Sequence, residues 1–112
     1  MIARDTFAGQ VGSAFRVVGG PFDSVELRLA ELTEGKAAPG YELFSLFFHG
    51  PAAPRLEQAT YTMEQPALGT VALFLVPVGA LPGGIRYEAL FNRRLALDQP
   101  GVPPAPGGRS SR

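Results

Sequence analysis

His49 is the single histidine of the chain, and no other side chain has an ordinary pKa near neutrality. Any general acid–base chemistry at neutral pH would have to start there. It closes the run FSLFFHGP, residues 44–51, in which Ser45 stands four residues before it. On an extended strand that spacing is about 13 Å, too far for a nucleophile and its base. No G-x-S-x-G elbow surrounds either residue. The plainer role for His49 is to end a strand and hydrogen-bond a turn carbonyl. A hydrolase-like enzyme remains an alternative only if His49 shares a cleft with a carboxylate such as Glu64 or Glu88.

Other constellations are thinner still. Transition-metal sites need several converging His, Cys or carboxylate ligands, and the chain has one histidine and no cysteine. Glu57, Glu64 and Glu88 lie near predicted strands, but their spacing fixes no catalytic pair, and solvated faces account for them. The glycine-rich pieces GGPF and LPGGI lack the phosphate-loop pattern and lead into no helix, so they read as turns. Arg93 and Arg94 read as solvent-facing charge at a strand end. No catalytic, metal or cofactor residue is expected.

The 112 residues suffice for one domain with one core. Ten basic and ten acidic residues leave no net field to attract nucleic acid or an anionic membrane, and little repulsion against self-association. Without cysteine, the fold must rest on packing alone. The start MIARDTFAGQ lacks the features of a secretory signal, and no stretch approaches the ~20 apolar residues of a membrane helix. No membrane insertion and a cytoplasmic location are the resulting expectations.

The elements that would position these residues are short and mostly extended. Phe7 and Val11, four apart and followed by Gly12, suggest one short helix over residues 4–11. Strands are expected at residues 14–18, 24–32, 41–49, 59–64, 72–78 and 85–92, separated by Gly and Pro turns. In residues 24–32 the alternation slips at Ala30 to Leu32, which marks a bulge or the strand's end. Pro77 is expected near the end of its strand, followed by a hairpin loop over residues 79–84. The fold class is all-β: a compact antiparallel six-stranded barrel or two-sheet sandwich with at most one short N-terminal helix. Residues 1–98 form the single β domain. Residues 99–112, rich in Pro and Gly, are expected to be a flexible tail.

Two of these strands are apolar on both parities. Phe44, Leu46 and Phe48 form one row, while Leu43, Ser45, Phe47 and His49 form a second, mixed one. Val71, Leu73 and Leu75 face one way, and Ala72, Phe74, Val76 and Val78 the other. Both strands are therefore expected to be covered on both flanks. The second rows, with the loop at Leu81 and Pro82, are the candidate protein-contact residues: Leu43, Phe47, His49, Ala72, Phe74, Val76, Leu81 and Pro82. The expected function is a non-enzymatic structural or assembly protein whose partner is another protein or a second copy of the chain. The alternative is a carrier whose barrel cavity holds an apolar ligand.

The set F-x-V, FSLFFHGP, TYTMEQPALG, LFLVPVG and RYEALFN resembles a family of small uncharacterised bacterial domains of unknown function. The resemblance spans roughly residues 7–92, with Phe44, Gly50, Pro51, Tyr61, Gly69, Phe74, Pro77, Glu88, Phe91 and Asn92 matching. It implies no activity and no catalytic residues. The family is similar in gene setting to phage-tail-collar-like proteins, which implies a place in an appendage or tail-related assembly.

Overall fold

The computed structural model describes residues 2–95. One short helix, α1 (Arg4–Ala8), precedes six strands: β1 (Ala14–Val17), β2 (Glu26–Glu34), β3 (Tyr41–Pro51), β4 (Ala59–Gln65), β5 (Gly69–Leu81) and β6 (Gly84–Arg94). They close into an antiparallel barrel in the order β1-β2-β3-β6-β5-β4, so the barrel, not the sandwich, is the architecture. The expected tail at residues 99–112 lies outside the described residues.

Closure gives the sheet one inside, and alternation decides which side chains share it. Phe15, Leu27, Leu29, Phe44, Leu46, Phe48, Met63, Leu75 and Tyr87 fill the axis, each with almost no exposed surface. Phe15 meets Phe48 edge-on at 5.1 Å. The slip in the β2 pattern is a bulge: the register with β3 shifts between Leu29 and Glu31. Its extra residue, Ala30, turns Leu32 back toward the core and leaves Glu31 facing out beside Phe47.

Each end of the barrel is stoppered. At one, Phe7 of α1 packs on Phe91 and Phe44, whose rings stack at 4.6 Å. At the other, Leu56 of the β3–β4 connection is buried, and its backbone N–H donates to the Tyr87 hydroxyl at 2.9 Å. The Arg93 side chain, expected in solvent, is largely buried: it donates to Glu42 at 2.6 Å and to the Ile2 carbonyl at 2.7 Å. Position 93 shares the inward parity of Tyr87, Ala89 and Phe91, so its guanidinium closes the rim instead of facing water.

The β5–β6 hairpin is longer and tighter than expected. Leu81 pairs with Gly84, leaving a turn of only Pro82 and Gly83, with Gly83 at φ +71°. Proline then glycine is what a type II turn requires. Pro77 is not near the end of β5. It lies inside the strand at a register shift between Pro77 and Gly79, an irregularity that tolerates a residue without an N–H. Ladder pairing of β5 with β6 begins at Val76 and Glu88. Residues 69–75 of β5 pair with β4 alone, and residues 89–94 of β6 with β3 alone. The two strands part there, and a cleft of about 220 Å³ opens between them, lined by Ile2, Phe7, Val71, Leu73, Phe91 and Arg93.

Candidate functional site

The candidate contact residues lie on the outer surface, in two rows separated by β6. Leu43, Phe47 and His49 face outward from β3, each half-buried. Phe47 is covered by this chain itself. Arg86, from β6, lies across β3 with its guanidinium 4.1 Å from the Phe47 ring centre and donates to Glu31 of β2 at 2.7 Å. Leu43 is in contact range of Gly35, so the connection after β2 shields it. The cover expected for this row is thus present only in part, as an arginine–glutamate strap and a loop.

The row on β5 corrects the sequence reading. Ala72, Phe74 and Val78 are exposed and Val76 is half-buried, whereas Val71, Leu73 and Leu75 are buried. Two apolar parities were expected to mean two covered flanks. In a closed barrel only one parity points inside, and no described element of this chain packs over the other. Phe74 keeps 51% of its surface exposed and Val78 46%. Leu90 of β6, which the sequence reading passed over, is the most exposed large apolar residue among the described residues, at 64%. It shares its parity with Arg86 and Glu88, and that parity break was the available signal. Leu81 is half-buried and Pro82 exposed at the hairpin tip.

Between the two rows, β6 presents the polar Arg86 and Glu88 as well as Leu90. Ser45 donates its hydroxyl hydrogen to Glu88 at 2.5 Å, which occupies the serine and the carboxylate with one another. Glu64 is paired with Arg16. The structure therefore brings neither Glu64 nor Glu88 to His49. Among the described residues, no group of three or more His, Asp or Glu side chains is placed to hold a metal ion, and no helix is long and apolar enough to cross a membrane. A cleft of about 460 Å³ lined by Arg16, Glu26, Glu64, Gln65 and Thr70 contains neither His49 nor any of the candidate protein-contact residues.

His49 stands between two guanidiniums. It is level with Arg28 on β2 and with Arg86 on β6, and contacts the first at 3.4 Å and the second at 2.8 Å. Loss of hydration and then the charges of Arg86 and Arg28 hold its pKa below the usual 6.5, with Glu31 opposing weakly. The folded protein thus takes up this proton less readily than the unfolded chain. Stability from this group is complete above the unfolded value of about 6.5 and falls as acidification proceeds toward the lower folded value. A His49→Gln chain is expected to lose that part of the acid sensitivity, measured as a flatter dependence of the urea midpoint on pH below neutrality.

A family model for a domain of unknown function, DUF6916, matches residues 2–91. The chain belongs to the DUF6916 family. The match takes in α1 and β1 to β5 and most of β6, so the barrel described above is the DUF6916 domain of this chain. No curated protein and no solved structure matches it.

Proposed function

We propose that this DUF6916 domain is a non-enzymatic assembly component whose outer β5–β6 face docks onto protein, with a second copy of the chain as the occupant. The observation that carries the reading is the exposure of Phe74, Val78 and Leu90 on neighbouring strands of one face. Apolar side chains of this size lose roughly 1.5–3 kcal/mol each in favourable burial when left in water. Two further features support self-association. The chain carries no net charge, which removes the usual repulsion between copies. Beside Phe74 and Leu90, β5 and β6 also present backbone that is not paired across the gap between them. An appendage or tail-related assembly is the setting suggested by the family resemblance.

The test is a chain carrying both Phe74→Ser and Leu90→Ser. Both side chains point into solvent, so its stability is expected within about 0.5 kcal/mol of the parent. By light scattering, the parent mass is expected to rise with concentration while the variant stays monomeric. A parent that remains monomeric throughout the same range overturns the reading.

A further inference from the structure

The row Arg28–His49–Arg86 crosses β2, β3 and β6 with three basic side chains directly level with one another. Such a row is unfavourable unless acceptors lie among its donors. One end has its acceptor, because Glu31 takes a hydrogen bond from Arg86. The other does not: among the described residues, Arg28 has no carboxylate within 4.0 Å.

The imidazole makes this shortage specific. Guanidinium groups only donate, so the short 2.8 Å contact from Arg86 requires Nε2 of His49 to accept. A neutral ring that accepts at Nε2 carries its hydrogen on Nδ1. That Nδ1–H faces Nη2 of Arg28 at 3.4 Å, donor against donor, beside an open cleft of about 250 Å³. The opposite tautomer would set two donors against each other at 2.8 Å, which is worse. The cleft is floored by Leu27, Gly50 and Pro51 and also holds one acid, Glu26, two residues before Arg28 on the same face of β2.

We propose that Arg28 and His49 form a binding site for a carboxylate, with one oxygen accepting from the guanidinium and the other from Nδ1–H of the imidazole. A carboxylate is flat, carries two acceptors on one edge and matches a forked pair of donors. Its charge offsets the row, and the ligand is held on the His49 side of the cleft because Glu26 repels it from the other. The source is either a free small carboxylate or an acidic side chain of a partner protein. The site does not depend on the β5–β6 face, so the Phe74→Ser, Leu90→Ser chain retains it.

The single histidine makes the test direct, since its ring protons give one unambiguous set of NMR signals. With sodium acetate replacing sodium chloride at equal ionic strength, the pKa of His49 is expected to rise by about one unit, because an anion is brought against the imidazolium. Arg28→Gln is expected to remove the acetate response, and Glu26→Gln to bring it on at lower acetate concentration. Both substituted side chains are exposed, and an unchanged amide spectrum confirms the fold. A blocked peptide with one glutamate that acts at lower carboxylate concentration than acetate supports a protein side chain as the source. Equal potency supports a free carboxylate. An acetate effect no larger than that of chloride, or one undiminished in the Arg28→Gln chain, overturns the proposal.

Discussion

Phe7→Ala is expected to cost about 3–5 kcal/mol of unfolding free energy, the usual range for removing a buried phenylalanine. A domain of this kind has roughly 5–15 kcal/mol in all, so the loss would be a large share. The side chain is 1% exposed and its ring lies 5.5 Å from Phe91 and 6.4 Å from Phe44. It enters from a five-residue helix with no side-chain cap at its start. A helix that short does not hold by itself in water, so its place is fixed by what Phe7 buries. Without the ring, α1 loses its anchor and the gap between β5 and β6 loses its stopper. Urea unfolding followed by circular dichroism measures the cost, and a loss below about 1 kcal/mol would show that the end of the barrel is closed by something other than this ring.

The second large effect is expected from a single methyl group. A Cβ placed on Gly84 would lie 2.6 Å from the carbonyl oxygen of Gly50, a backbone atom with nowhere to go. Pro51 pairs with Gly84, and Gly50 with Ile85, so relief requires β3 and β6 to separate where the hairpin turns. Gly84→Ala is expected to destabilise by about 1–3 kcal/mol, as overpacking does. At about 4–8 °C per kcal/mol for a domain of this size, that is a clear fall in melting temperature. Gly79→Ala is the control. It lies in β5, on the other arm of the same hairpin, and nothing lies within 4 Å of its added Cβ. Equal melting of the two variants by calorimetry would refute the clash.

Much of the fold was legible because it follows from local rules. The turn signals bounded every strand to within a few residues, and the phase slip near Ala30 is the observed bulge. The inward set on β6, Tyr87, Ala89 and Phe91, followed from alternation alone. Three things were not legible. Alternation cannot tell how many faces of a sheet are covered, and so the outer row of β5 was read as sheltered. Pro77 was placed near a strand end because an irregularity that accommodates it depends on the partner strand's register. The neighbours of His49 come from residues 21 and 37 positions away in sequence, which only the ladder brings level. The same ladder assigns Glu64 to Arg16 and Glu88 to Ser45, a partition that spacing along the chain does not contain.

The hydrogen bond from Arg93 to the Ile2 carbonyl has a consequence for how the domain can be carried. It sets the first and last described stretches of backbone side by side at one rim, so the polypeptide enters and leaves the barrel at nearly the same point. A domain with adjacent termini can be grafted into a loop of a larger protein, or strung with other copies by brief linkers, without disturbing its host. In such a string the opposite rim, with Leu56 and the Pro82–Gly83 hairpin, would always be the distal end.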